Sequence, residues 1–260
     1  MTTCAVTHRV QGEAGDPPVV LSNSLGTDMS TWNPQAPALA QRFRLVRYDH
    51  RGQGASPVPP GPYEIEDLGE DVIALLDRLE LERASFCGVS IGGMVGIWLA
   101  AHAPERIDRL VVCCSSPHMP PPSRWHERAA AVRSAGSVEV IADAVVQNWL
   151  TPEFAQANPG VRARLRAMLA ASPPVGYADC CEALARMDLR PKLAVIEAPT
   201  LVIGGERDNS TPPAEHGALI ADGVHGATLE LVPAAHLANV EQPAAVLHLI
   251  LGHLDVKEHA

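Results

Sequence analysis

The sequence predicts an α/β fold: a mostly parallel sheet flanked by helices, with a helical segment inserted after one of its strands. Three observations predict it. Short apolar runs alternate with stretches of helical periodicity, as a sheet joined by crossover helices requires. The alternation stops at Pro117 and resumes at Ala198-Pro199-Thr200. A glycine-flanked serine, in Gly88-Val89-Ser90-Ile91-Gly92, separates one apolar run from the helical stretch that follows it.

Thr3 to Val10 is expected as an edge strand, ahead of core strands at Val19 to Asn23 and Arg44 to Tyr48. Glu66 to Leu79 places Leu68, Val72, Leu75, Leu76 and Leu79 at helical spacing, the mark of an amphipathic helix. Ala84 to Val89 is a short, largely apolar strand, and Gly93 to His102 is a helix closed by Pro104. Leu110 to Cys114 is the next strand. Pro120, Pro121 and Pro122 then form a breaker run. From Trp125 to Met187 the pattern is helical and Ala-rich. Residues 119–189 are therefore expected to form a helical cap inserted between two parts of one core, 1–118 and 190–260. Strands at Thr200 to Gly204 and Thr228 to Val232 and a helix at Gln242 to Leu254 complete the second part. The polar tail from Asp255 to Ala260 is expected to fray.

Composition narrows the class. The chain has 260 residues, 47% of them hydrophobic, enough for one domain with an insertion. A net charge of −10 argues against nucleic acid as a partner, and any anionic substrate needs a local basic pocket. No apolar run approaches the ~20 residues of a membrane span. No charged segment followed by an apolar one marks a secretory leader. Cys113-Cys114 and Cys180-Cys181 are adjacent pairs, which rarely reach disulfide geometry; Cys4 and Cys87 stand apart. Without C-x-x-C spacing, buried reduced thiols in a cytoplasmic protein are the expected reading. No H-E-x-x-H occurs and the histidines are dispersed, so no metal site is expected. A homo-oligomer is compatible with the sequence and not required by it.

Gly88-Val89-Ser90-Ile91-Gly92 fits G-x-S-x-G, in which a serine sits on a strained strand-to-helix turn as a nucleophile. A serine hydroxyl needs a base to take its proton, and the base is usually a histidine oriented by a carboxylate. In this arrangement the chain order is Ser, acid, His. Asp208, just beyond the strand at Thr200, is the candidate acid, with Glu206 as its rival. His236, in the loop after the strand at Thr228, is the candidate base. His50 is a weaker rival. His8, His216, His225, His248 and His253 are expected in solvated roles. Acyl transfer also needs donors for a developing oxyanion. The N–H of Ile91 follows the serine, and aligning the turn after the first core strand makes Leu25 the second donor. Asn23 and Ser24 satisfy turn backbone, or polarise the hole as well.

With these residues the chain resembles the α/β-hydrolase fold superfamily over nearly its whole length. Asp49-His50-Arg51-Gly52-Gln53-Gly54-Ala55-Ser56 is similar to that superfamily's D-x-R-G-x-G-x-S loop, a mainly structural element. Asn23-Ser24-Leu25-Gly26-Thr27-Asp28 with Trp32, Tyr48-Asp49 before Arg51-Gly52, the stretch from Tyr177 to Arg190, and the stretch from His236 to Pro243 resemble the 3-oxoadipate (β-ketoadipate) enol-lactonases. The chain departs from that family at Asn148-Trp149, where a basic residue often precedes the aromatic. The resemblance implies hydrolysis of β-ketoadipate enol-lactone, a small anionic lactone, by a Ser-His-Asp acyl-enzyme route in aromatic-compound catabolism, with no cofactor.

A free carboxylate on the substrate suits an arginine fork. Arg124, Arg128 and Arg133 are the candidates in the cap, with Trp125 and Trp149 as walls. Arg162, Arg164 and Arg166 read as a solvated helix face. Trp32 reads as loop packing. Two alternatives stay open: another hydrolase of the same fold, such as a carboxylesterase, a carbon–carbon bond hydrolase or a haloperoxidase-like esterase, and a non-catalytic ligand receptor.

Overall fold

The computed structural model describes residues 3–255, so the expected fraying of residues 256–260 lies outside the described residues. Among the described residues seven strands form one sheet: β1 (His8–Gln11), β2 (Pro18–Ser22), β3 (Arg44–Tyr48), β4 (Ala84–Val89), β5 (Ile107–Cys113), β6 (Thr200–Gly205) and β7 (Thr228–Val232). Their spatial order is β1-β3-β2-β4-β5-β6-β7. β1 runs antiparallel to β3, and the remaining pairs are parallel. β4 thus lies at the centre and is buried along its whole length, which explains its largely apolar sequence.

The helices are α1 (Ala36–Leu39), α2 (Ile65–Arg78), α3 (Ile91–His102), α4 (Pro122–Ala135), α5 (Glu139–Trp149), α6 (Pro152–Ala157), α7 (Pro159–Ala170), α8 (Pro174–Arg186), α9 (Ala218–Gly223), α10 (Ala238–Glu241) and α11 (Pro243–Leu254). α2 begins with a capping box in which Glu64 and Asp67 bond each other's backbone N–H groups. α3 is apolar all round and buried from Ile91 to Ala100, between α2 and the strands β4 and β5. α4 to α8 lie between β5 and β6, with α4 packed along α8 and α5 on α7. The ends of this insert meet: Leu189 N–H donates to the Pro117 carbonyl at 2.7 Å, and His118 bridges Asp188.

The edge strand is shorter than expected from Thr3 to Val10. The reason is competition for backbone donors. Cys4 N–H donates to Asp71 at 2.5 Å and Thr7 N–H to Ser56 Oγ at 2.8 Å, so this segment bonds side chains rather than β3. β5 starts at Ile107, three residues before the expected Leu110. The six cysteines are buried and unpaired.

The D-x-R-G-x-G-x-S stretch after β3 does structural work. Asp49 accepts the N–H groups of Met29 (2.7 Å) and Ala55 (2.9 Å). Arg51 forks onto Asp71 of α2 through Nε (2.6 Å) and Nη2 (2.7 Å). Both side chains are buried. Breaking such a pair leaves an uncompensated buried charge and costs about 3–5 kcal/mol. Asp71→Ala should therefore lose about that much stability in urea denaturation, whereas exposed Asp143→Ala should change it by less than about 1 kcal/mol.

Candidate active site

Ser90 lies between β4 and α3 with φ 57° and ψ −121°, a conformation costing of order 1–3 kcal/mol. Its surroundings hold it there. Ser90 N–H donates to the Cys113 carbonyl of β5 at 2.9 Å. A Cβ on Gly88 would fall 2.2 Å from the backbone of Gly92, and one on Gly92 would fall 2.7 Å from the Ser22 carbonyl. The two glycines are therefore a steric requirement of this turn.

Asp208 and His236 approach from the ends of β6 and β7. His236 Nδ1 lies 2.8 Å from Asp208 Oδ2. An ionised carboxylate accepts and cannot donate, so Nδ1 carries a proton, and the lone pair of the neutral imidazole lies on Nε2. Asp208 also accepts Thr211 Oγ1 at 2.7 Å and the N–H groups of Ser210 (2.8 Å) and Thr211 (3.1 Å). Burial raises the carboxyl's pKa, but His236 and the Thr211 donors outweigh burial and hold it below its ordinary value. Glu206, the rival acid, is exposed to solvent.

The His236 loop is fastened on both sides. Ala235 N–H donates to Glu241 at 3.1 Å, and the same buried carboxylate accepts the N–H and the hydroxyl of Thr151. Leu237 N–H donates to the Trp149 carbonyl at 2.9 Å. The junction of α5 and α6 is thus stitched to the loop that carries the histidine.

His50, the rival base, is buried elsewhere. Its Nε2 lies 3.1 Å from both Ser22 Oγ and the Asn23 carbonyl, with Tyr48 alongside. Burial lowers its pKa to about 4, against the opposing pull of the Asn23 carbonyl, so it is neutral at pH 7. His216 and His253 are also less solvated than expected. His216 Nδ1 meets buried Ser116 Oγ at 2.7 Å, and His253 Nε2 meets the Pro199 carbonyl at 3.0 Å.

Ser90 and His236 face one cleft, roofed by the insert. Ser24, Leu25 and Met94 line it from the core side, with Ser210 beside His236. Met119, Arg124, Trp125, Arg128, Val145, Asn148, Trp149, Tyr177 and Leu184 line it from the insert. Ile91 is the first residue of α3, where an N–H has no acceptor within the helix. Leu25 sits in the turn after β2, which continues through Gly26 at φ 76° and is held by Gly26 N–H donating to Gln53 Oε1 at 2.5 Å. Asn23 turns its amide away to the Thr27 carbonyl at 2.7 Å, so Ser24 alone of this pair lines the cleft.

The three candidate arginines separate. The guanidinium carbons of Arg124 and Arg128 lie 5.7 Å and 4.8 Å from the Trp125 ring centroid. Among the described residues neither forms an ion pair with a carboxylate. Burial, and then the charge of Arg128, lowers the pKa of Arg124. Arg133 does not line this cleft, contrary to expectation. It binds Asp179 at 2.6 Å and Glu182 at 2.9 Å. The helix explains the split: Arg124 and Arg128 are four residues apart on one face, and five more residues rotate Arg133 by about 140°. Arg166 is an ion-paired surface residue, bound to Glu139 and Asp143. Trp32 is buried, with Nε1 donating to the Ser22 carbonyl at 3.1 Å.

Sequence reasoning missed Met94, Met119, Val145, Asn148, Tyr177, Leu184 and Ser210 as cleft residues. Tyr177 and Leu184 lie seven apart on α8, a helical-spacing signal that does not distinguish a core wall from a cleft wall.

The sheet, the strained serine and the acid–histidine pair beyond β6 and β7 define a class of protein. The chain belongs to the α/β hydrolase fold family, whose model it matches over residues 17–243. Within that family it is 42% identical over 246 residues to 3-oxoadipate enol-lactonase 2 of Acinetobacter baylyi, covering 95% of this chain and 91% of that one. It is also similar to the enol-lactonase of Burkholderia xenovorans LB400, with a TM-score of 0.93 and 41% identity over 96% of each chain. A hydrolase from Pseudomonas aeruginosa PA01 matches at TM-score 0.93 and 47% identity, over 96% of this chain and 94% of that one.

Because folding depresses the Asp208 pKa, its ionised form stabilises the folded state above the ordinary aspartate value of about 3.9. That stability is lost as pH falls through the folded value. Urea denaturation should therefore show a wild-type advantage over Asp208→Asn at pH 7 that shrinks below about pH 4.

Proposed function

We propose that this protein is a serine hydrolase that opens 3-oxoadipate enol-lactone to 3-oxoadipate, a step in aromatic-compound catabolism. The observation that carries the reading is the cleft itself. A serine and a histidine held by a carboxylate at Nδ1 face it from the core, and two arginines with no carboxylate partner among the described residues line it from the insert. The family and the enol-lactonases among its relatives support the same reaction.

The chemistry follows from the residues. Ser90 Oγ attacks the lactone carbonyl carbon while His236 Nε2 takes its proton. The carbonyl π pair moves to oxygen, and the N–H groups of Leu25 and Ile91 receive the oxyanion. Collapse breaks the ring C–O bond. The leaving group is an enolate, a better leaving group than an alkoxide, and it takes the proton from His236 Nε2. The resulting enol remains tethered to the acyl chain and tautomerises to the ketone. Water then attacks the acyl-serine, His236 again takes a proton, and a second tetrahedral collapse frees Ser90 and the new carboxylate. Asp208 holds the histidine tautomer throughout. Arg124 and Arg128 bind the carboxylate the substrate already carries, over the face of Trp125. Residues 119–189 act as a fixed cap that excludes water from these charges.

The test is steady-state hydrolysis of the enol-lactone, followed by ultraviolet loss of the enol chromophore, beside p-nitrophenyl acetate as a neutral ester. Wild type should turn over the lactone far faster than the ester. Ser90→Ala should lose at least 10⁴-fold in kcat, the order expected when a triad member is removed. Good ester turnover with weak lactone turnover would refute the lactonase reading and leave an esterase. Arg124→Ala and Arg128→Ala should each raise KM for the lactone about tenfold or more, the worth of a charge-assisted bond, and leave the neutral ester within about twofold.

A further inference from the structure

A carbonyl and the N–H that follows it belong to one rigid trans peptide unit and point in opposite directions. Holding the carbonyl therefore aims the N–H. The Leu25 N–H shares its unit with the Ser24 carbonyl, and the Ile91 N–H shares its unit with the Ser90 carbonyl. Each carbonyl is held by a buried hydroxyl, one from three residues on in the same turn and the other from the loop after β5. Thr27 Oγ1 donates to Ser24 O at 2.8 Å, beside the Thr27 N–H at 3.1 Å. Ser115 Oγ donates to Ser90 O at 2.7 Å, beside the Met94 N–H at 3.1 Å. Thr27 and Ser115 are 2% and 3% exposed.

We propose that Thr27 and Ser115 are positioning residues for the oxyanion hole, each orienting and polarising one of its two N–H donors through the carbonyl of the same amide. The inference rests on the reading of Leu25 and Ile91 as those donors. Two physical effects combine. The bond to the carbonyl resists rotation of the peptide unit, which would turn the N–H out of the cleft. It also draws electron density toward the oxygen and makes the N–H a stronger donor, a cooperative gain of about 10–30% per bond. That gain grows as charge develops on the substrate oxygen, so it favours the transition state over the ground state.

The backbone places both hydroxyls for this task. Ser115 follows Cys114, whose φ of 44° bends the chain as it leaves β5. The bend brings Ser115 against α3, where a Cβ on Gly93 would fall 2.7 Å from Ser115 Cβ. Thr27 is fixed from the other side, because its carbonyl accepts Asn23 Nδ2 at 2.7 Å. The hydroxyls act on different peptide units from different loops, so their effects should multiply.

Thr27→Val and Ser115→Ala, singly and together, test this, with Thr27→Ser as the conservative restoration. Four quantities are measured: kcat and KM for the lactone and for p-nitrophenyl acetate, inhibition by a carboxyalkyl boronic acid, inhibition by adipate, and the Tm. The boronate forms a tetrahedral adduct on Ser90 with an oxygen in the hole. Adipate binds as a ground-state anion. Outright loss of an oxyanion donor costs about 10²–10³ in kcat, and a partner acting through the donor should cost roughly tenfold. Each single variant should lose about tenfold in kcat and in boronate affinity, with KM and adipate inhibition within about twofold. The double variant should lose about 100-fold, and Thr27→Ser should stand within about twofold of wild type.

Unchanged kcat and boronate affinity in folded variants would overturn the proposal. So would a loss of kcat without a matching loss of boronate affinity, which would mark the hydroxyls as merely satisfying buried polar groups. If Ser115→Ala does not fold, the Thr27→Val and Thr27→Ser pair decides. Failure of the underlying readings looks different: good ester turnover with weak lactone turnover in wild type would refute the lactonase reading and leave this test standing on the ester, whereas turnover of neither substrate, with Ser90→Ala binding the boronate as wild type does, would refute the serine-hydrolase reading itself.

Discussion

The strained turn at Ser90 is the constraint on which the rest of the structure depends. Its backbone occupies a region that costs free energy, so it persists only where neighbours allow no alternative. Those neighbours are the carbonyl of Cys113 on β5, the bare α-carbons of Gly88 and Gly92, and the Ser22 end of β2. β4 must therefore lie between β2 and β5, as it does in the sheet order. The apolar α3 follows from the same demand. A helix that begins at the serine and runs beneath the sheet surface has no solvent face, and its sequence is apolar all round.

The helical insert is fastened to the parts of the core that flank the serine. Glu241 and Trp149 join it to the His236 loop. Near Leu25, Gly26 packs so closely on α7 and α8 that a Cβ there would meet Leu169 and Tyr177. The roof of the cleft and the loops beneath it therefore share contacts and hold one another's geometry. Such preorganisation favours electrostatic stabilisation of a developing charge, because the dipoles need not reorient during reaction.

Much of this was legible from the chain. The motif at Ser90 carried its own strand and helix, and Asp208 and His236 sit directly beyond strands whose apolar runs stand out. What was hidden depended on contacts between distant segments. The N-terminal segment has a strand-like composition, yet Asp71 and Ser56 take its backbone donors. His50 looks like any other histidine until Ser22, Tyr48 and Asn23 enclose it. Arg133 belongs to the same helix as Arg124 and Arg128 but to another face, and the acids that claim it lie on α8. Helical phase was readable in advance there, whereas the identity of the facing helix was not.

The insert leaves and re-enters the sheet at one point, where Leu189 meets Pro117 and His118 meets Asp188. A loop whose ends already touch can change length at small entropic cost, since closure entropy grows only logarithmically. The register of β5 against β6 does not depend on what lies between them. The proposed bond-breaking groups are carried by the loops of the sheet, and the facing wall of the cleft is carried by the segment between those two strands. The architecture is modular in this sense: substrate scope can be rewritten along the wall of the insert while the proposed chemistry beneath it stays intact, provided the contacts of Trp149, Thr151, Leu169 and Tyr177 that hold the underlying loops are kept.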